Sequence, residues 1–271
     1  TSAAAGSGAA GFRAAGSGAA GSGVAGFGAA GSGATTGAPG TGARRRVGRT
    51  PAAAEVTREQ VVRAAVTLAD REGLAGLSMR RIAADLGVAT MSLYRYVRNK
   101  DDLLVLMMEA VFVDHPLPTR VPPGWRAQLE AAARLQWSIY RRHPWLAPAM
   151  SFTRPPLARS AMAHTEWAMR ALDGHGLPTA TIFRASVTLA NYVRGTAVNF
   201  EPEALAEQDT GLTDDEWMNG QAEVLGRILA SGRFPMMLRA VNEPGFTFDL
   251  SDLFEFGLRQ LLDGLAAQIG D

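Results

Sequence analysis

The chain contains no cysteine, which excludes disulfides, zinc held on thiolates and thiol catalysis, and matches what is expected of a cytoplasmic protein. No run of 18 apolar residues occurs, so no segment is long enough to cross a bilayer as a helix. The alanine-rich start has no basic region followed by a compact leucine-rich core, which argues against a secretory signal. There is no G-x-S-x-G, H-E-x-x-H or P-loop motif, and the four histidines are scattered. No catalytic constellation follows from these residues, so neither an enzyme nor a cofactor is expected. Lysine is nearly absent too: Lys100 stands alone against 26 arginines.

What is present is unevenly distributed. Residues 1–43 hold 14 of the 30 glycines in repeats such as AAGSGAAG, with almost no charge. Such a stretch cannot bury enough apolar surface to offset its ordering entropy, and a disordered tail is expected. A basic arm follows over 44–56, with Arg44, Arg45, Arg46 and Arg49. A charge cluster of this kind is either a solvated linker or a segment that tracks phosphates. Residues 44–100 carry 12 basic and 5 acidic side chains, whereas 101–271 carry 14 basic and 21 acidic. The chain is therefore electrically bipolar, the pattern of a phosphate-binding module joined to a body of opposite sign.

The positive end contains LSMRRIAADLGVATMSLYRYVRNK, residues 77–100. Leu77, Ile82, Ala83 and Leu86 have helical spacing, Gly87 stops that helix, and Val88, Leu93 and Val97 resume the apolar face. Thr90, Met91, Ser92, Tyr94, Arg95 and Tyr96 fall on other faces. Two short helices joined by a tight glycine turn, the second polar outside, form a helix-turn-helix pattern. An ordinary helical hairpin with a solvated face has the same periodicity; the charge split favours the DNA-binding reading.

The motif S-M-R-R-I-A-A-D-L-G-V, followed by S-L-Y-R-Y-V-R-N-K-D-D-L-L, resembles the DNA-binding domain of the tetracycline-repressor (TetR) family over Thr57 to about Phe112. Carried onto this chain, the resemblance implies a recognition helix from Ala89 to Tyr96. Thr90, Met91 and Ser92 then stand where side chains reach base edges, Met91 offering only apolar contact, for instance to a thymine methyl. Tyr94 and Tyr96 match the family's aromatics at the backbone and neighbouring bases. Arg80 is placed for a phosphate or a guanine. Lys100, at the start of the next helix, matches the family's phosphate-anchoring lysine.

Capping and periodicity predict a first helix from about Arg58 to Glu72, with Thr57 as N-cap and Gly73 at its end, and a fourth from Lys100 up to a proline cluster at 116–123. The DNA-binding domain is thus expected over 57–113. Further helices are predicted over 124–143, 158–173, 178–201, 213–231 and 251–269, with prolines at the joints and no period-2 strand. The fold class is all-α, with a C-terminal helical bundle over 124–271. HPWLAP at 143–148, NYVRGTAVNFE at 191–201 and SGRFPMMLRAV at 231–241 resemble the tetracycline-repressor type of C-terminal domain, particularly those of actinomycete antibiotic-efflux regulators. The resemblance implies ligand binding and homodimerisation there, with 178–201 and 251–269 as the dimer helices. Gly257 and Gly264 in the last helix allow close helix approach.

Candidate pocket residues are Trp137, Tyr140, Met150, Phe152, Trp167, Phe183, Asn191 and Arg194, with Trp145 and Tyr192 beside them. Aromatics at helical spacing equally describe core; Asn191 and Arg194 are the polar members of an otherwise apolar helix. His164 and Glu166 are two residues apart on a helix and do not share a face, so no metal site is expected. The expected function is a ligand-responsive repressor binding a near-palindromic operator DNA as a homodimer and released by a small-molecule effector, controlling an efflux or antibiotic-related gene. The alternative is a small-molecule-binding or scaffold protein whose helix-turn-helix no longer reads DNA.

Overall fold

The computed structural model describes residues 56–270, and every regular element among them is a helix. The glycine-rich tail and the basic arm up to residue 55 lie outside the described residues. Helix α1 (Arg58–Gly76) begins with a capping box: Thr57 Oγ1 accepts from the Gln60 amide at 3.2 Å, and Gln60 Oε1 accepts from the Thr57 amide at 2.8 Å. Its regular course stops at Gly73, whose φ of 66° is a left-handed conformation that glycine adopts at little cost. Helix α2 (Met79–Asp85) is capped by Ser78, and Gly87 (φ 65°) makes the turn into α3 (Thr90–Leu93). Helix α4 (Lys100–Asp114) starts at Asn99, whose side chain accepts from the Asp102 amide at 2.8 Å.

After the prolines come α5 (Trp125–Arg142), α6 (Leu146–Ala149), α7 (Arg159–Leu172) and α8 (Thr179–Ala197). The remainder comprises α9 (Phe200–Thr210), α10 (Asp214–Gly220), α11 (Ala222–Leu229), α12 (Pro235–Val241) and α13 (Leu250–Ile269). Helix α8 is central, packing on α5, α7 and α13. One apolar cluster runs from Val61 and Leu68 in α1 through Met107 and Phe112 in α4 to Leu129, Ile139, Leu189, Val193 and Leu258 in the body.

The described helices depart from the expected boundaries where local polar chemistry intervenes. The helix predicted over 178–201 ends at Ala197. The Asn199 amide group donates to the Thr196 carbonyl at 2.9 Å, an alternative to the helical ladder. Pro202, expected at a joint, instead occupies the first turn of α9, where a missing N–H loses no partner. The helix predicted over 213–231 breaks at Gln221, after Gly220. Helices α6 and α12 are separate elements beyond those expected.

Polar contacts fasten α13 to the body. The Tyr192 hydroxyl faces two carbonyl acceptors, Leu253 at 2.8 Å and Phe254 at 3.0 Å. A Cβ at Gly257 would collide with the Tyr192 ring and hydroxyl, so this glycine does permit close approach. Gly264 behaves differently: no atom lies within 4 Å of where its Cβ would be. Arg134 grips Glu255 with two hydrogen bonds of 2.8 and 3.0 Å, and Arg126 reaches Asp263 at 2.7 Å, joining α5 to α13.

Between α4 and α7, the Ser160 amide and hydroxyl donate to Glu109 at 3.0 and 2.7 Å, and His164 meets Phe112 edge-on with centroids 5.0 Å apart. His164 is 3% exposed and its Nδ1 has no hydrogen-bond partner among the described residues. Burial pushes its pKa down to about 4. The folded imidazole thus resists protonation that the unfolded chain accepts. Its contribution is complete above the ordinary value of 6.5 and is lost as pH falls from there to about 4. Over that window the wild type should lose roughly 3 kcal/mol more than His164→Leu. Denaturant titrations of both proteins at pH 7 and pH 4 test this; parallel losses would show that His164 does not titrate in this way.

Candidate nucleic-acid interface

The helix-turn-helix has an inside and an outside set by burial. Ile82, Ala83, Leu93 and Val97 are buried in the apolar cluster that also includes α1 and α4, and α3 packs on α2, fixing its rotation. With Leu93 turned in, Met91 and Tyr94 turn out: they are 76% and 46% exposed. Large apolar groups at such exposure, flanked by arginines, are available to a partner. Thr90 and Ser92 are half-buried beside them, and Arg95 and Arg98 are exposed. Tyr96 is half-buried with its ring packed on the core, so less of it reaches outward than of Tyr94.

The recognition helix is shorter than the expected 89–96. Its regular part is Thr90–Leu93, followed by a turn in which the amides of Tyr96 and Val97 bond to the Leu93 carbonyl at 2.9 and 3.1 Å. The polar and apolar residues of 94–97 therefore leave α3 on a tight turn, which lets Val97 reach the core while Tyr94 stays outside.

Arg80, in the first turn of α2, is exposed and has no hydrogen bond or ion pair among the described residues. Its neighbour Arg81 is engaged with Glu72. Lys100 is the first residue of α4, exposed, with its Nζ donating to the Leu74 carbonyl at 3.3 Å. An ammonium has three donors, so two stay available for a phosphate. Arg44, Arg45, Arg46 and Arg49 lie outside the described residues.

The pocket candidates in the body are not gathered in one place. Trp137 and Tyr140 are buried, and Trp137 stacks on Phe254 with centroids 4.5 Å apart and meets Phe200 at 4.7 Å. Burial pushes the Tyr140 hydroxyl well above its ordinary pKa. Arg194 does meet Met150 and Phe152. Its Nε donates to the carbonyls of Ala147 and Met150 at 3.0 and 2.8 Å, and its guanidinium lies 5.9 Å from the Phe152 ring centroid. Trp167 is half-buried on α7, whereas Phe183 and Asn191 are exposed on α8. Trp145 is fully buried, with its indole N–H on Asp70 at 2.7 Å, and Tyr192 is committed to α13 as described. His164 and Glu166 point apart, the first buried and the second paired with Arg170.

A groove of about 330 Å³ opens instead between α8 and α13, lined by Thr181, Arg184, Thr188, Gln260, Gly264 and Gln268 among others. None of the eight pocket candidates lines it: Trp137 and Tyr140 are buried in the body, while Phe152 and Phe183 are exposed elsewhere. Periodicity carries no signal for this groove beyond Gly264, whose open surroundings mark its floor.

Helix α2, the Gly87 turn and a short α3 with its polar and apolar outer side chains exposed form a helix-turn-helix, the arrangement of a class of DNA-binding proteins. Residues 61–107 match the family model of bacterial regulatory proteins of the tetR type, and 117–269 match the tetracyclin repressor-like C-terminal domain. The chain belongs to the TetR family. It is 45% identical over 222 residues to the HTH-type transcriptional repressor DrrR1 of Streptomyces coeruleorubidus, covering 82% of this chain and 81% of that protein. It is 27% identical to the class E tetracycline repressor of Escherichia coli, over 80% of this chain and 94% of that one. The crystal structure of ActR from Streptomyces coelicolor in complex with actinorhodin superposes with a TM-score of 0.64 and 26% identity, covering 80% of this chain and all of that one.

Burial separates structural from reading residues on α3. Leu93→Ala should cost the protein about 2–5 kcal/mol, as large-to-small changes in a packed core do. Met91→Ala should stay within about 0.5 kcal/mol of wild type, as exposed positions do. Thermal melts of the two variants check the assignment; a large loss for Met91→Ala would mean that α3 is rotated relative to this description.

Proposed function

We propose that this chain is a homodimeric, effector-responsive repressor. Each subunit lays α3 in the major groove of one half of a near-palindromic operator, the two reading helices about one turn, or roughly 34–36 Å, apart. The observation that carries the proposal is the outward pair Met91 and Tyr94 above buried Leu93 and Val97, with Arg80 and Lys100 exposed at the two flanking helix starts. Thr90, Met91, Ser92 and Tyr94 meet base edges or the adjoining backbone. Arg80 and Lys100 meet phosphates, Tyr96 supports the turn, and Arg44, Arg45, Arg46 and Arg49 add phosphate contacts from the arm. The DNA-binding domain spans 57–113 and the effector and dimer domain 124–271.

Two features support homodimerisation. The groove between α8 and α13 presents Gly264 in open surroundings together with Leu189, Leu261 and Leu265 and polar neighbours. Beyond it, Trp217, Met236, Met237, Phe248 and Phe256 are each more than half exposed, more apolar surface than a monomer of this size ordinarily leaves to water. A second copy covers both. The effector is a small, largely aromatic molecule, and its binding has to bring together Trp137 and Tyr140 of α5, Trp167 of α7 and Phe183 of α8, which stand apart here. Arg194, Met150, Phe152 and Asn191 border them. The ActR–actinorhodin complex and the likeness to the class E tetracycline repressor support an antibiotic-related ligand, and with it we propose a target gene in efflux or antibiotic handling. Binding shifts the two heads away from operator spacing and lowers affinity in proportion to the ligand's preference for that state.

Selection from random DNA with the purified protein should return a near-palindrome, and light scattering should give twice the chain mass. Tyr94→Ala and Lys100→Ala should abolish specific retention of the selected duplex while melting like wild type. Normal retention by both would remove these residues from the interface, and recovery of no sequence would favour a scaffold that no longer reads DNA. Deleting residues 1–49 should weaken binding and flatten the dependence of log K on log salt by about 0.9 for each phosphate that the arm neutralises; an unchanged slope excludes the arm.

A further inference from the structure

The C-terminal part of α1 is held by the body at two points. Asp70 Oδ1 accepts from His143 Nδ1 at 2.8 Å and from Trp145 Nε1 at 2.7 Å, at the joint between α5 and α6. One turn further on, Glu201 Oε1 accepts from the Leu74 amide at 3.1 Å, at the joint between α8 and α9. Arg194 ties those joints together, since its Nε on α8 donates to the carbonyls of Ala147 and Met150 at α6. Asp70, α6, Arg194, α8, Glu201 and Leu74 thus form a closed ring of contacts through the body and back to α1.

Leu74 stands where this ring meets the DNA-binding face. Its amide donates to Glu201, and its carbonyl accepts from Lys100 Nζ at 3.3 Å. The approach is enforced by the backbone: at Gly73 a Cβ would lie 2.8 Å from Glu201 Oε1, so the carboxylate occupies the place of a side chain. Glu201 lies in the first turn of α9, where an acid is expected to stabilise the helix end. Yet its Oε1 is spent on an amide 127 residues away. Glu201 thereby pins the backbone of Leu74 on its N–H side, which fixes the direction in which the following carbonyl faces Lys100.

We infer that Glu201 is a positioning residue for DNA binding, holding the backbone of Leu74 so that its carbonyl directs the Lys100 ammonium to an operator phosphate. The inference rests on the operator-binding reading above. Glu201 touches no DNA; it acts through the backbone of one residue, Leu74, on the one lysine of the chain. Because the acceptor oxygen matters rather than the charge, Glu201→Gln keeps the function and Glu201→Ala loses it.

Two measurements on the full chain separate this role from a structural one. With lysine labelled by ¹⁵N, the chain gives a single side-chain ammonium resonance, read without DNA. It should shift, with faster proton exchange, in Glu201→Ala and stay near wild type in Glu201→Gln. On the selected duplex, Glu201→Ala should lower affinity by about tenfold or more. It should also reduce the salt slope by about 0.9 per subunit, whereas the same change in a Lys100→Ala background should do nothing further. An unmoved ammonium resonance in Glu201→Ala, or affinity losses that simply add to those of Lys100→Ala, overturns the inference. Failure of the wild type to retain any duplex sinks the operator reading instead, and the resonance still decides whether Glu201 positions Lys100.

Discussion

Trp145 is buried completely, and an indole N–H taken from water must find an acceptor. Asp70 supplies it, and the same oxygen also receives His143. This carboxylate belongs to α1, which also carries the inner wall of the helix-turn-helix. The most deeply buried aromatic of the body is therefore satisfied only when the head is docked. Removing Asp70 leaves a buried donor unpaired, whereas a head tethered by apolar contacts alone could slide. The hydrogen bonds give the docking a direction, which the continuous apolar core from α1 to α8 cannot supply by itself.

That docking explains how a very short reading helix is sufficient. Helix α3 is too short to be stable by its own hydrogen bonds. Its geometry is imposed by Leu93 and Val97 below it, by the Gly87 turn before it and by the Asn99 cap after it. Leu93 and Val97 lie in the apolar cluster shared with α1 and α4, and α4 in turn is fastened to α7 through Glu109 and Ser160. A disturbance among α5, α7 and α8 has a short mechanical route to α3 through packed helices and through the Glu201–Leu74 contact.

The head is easy to read from its sequence because its signals are local. Thr57 with Gln60, Ser78, Gly87 and Asn99 each mark a helix end within four residues, and Leu93 against Met91 separates inside from outside by helical phase. The body is less legible. Its helix count depends on breaks at Asn199 and Gln221, where a side-chain bond or a glycine neighbour, rather than a proline, ends the helix. Pro202 misleads for the converse reason, being harmless in a first turn. The pocket is least legible, since the same aromatic periodicity serves a stacked core such as Trp137 on Phe254 and a ligand wall. Contacts such as Glu201 to Leu74 join residues 127 positions apart and leave no trace in either neighbourhood.

Between Leu212 and Asp249 only Leu229 is buried within the chain, although three helices run through that stretch. Such a segment draws little of its order from its own protomer. With a second copy as its cover, its folding becomes a matter of mass action: the segment is complete at protein concentrations above the dimer dissociation constant and frays below it. The number of molecules in a cell would then set how much of the body is built, so that abundance itself enters the control of this regulator alongside any ligand.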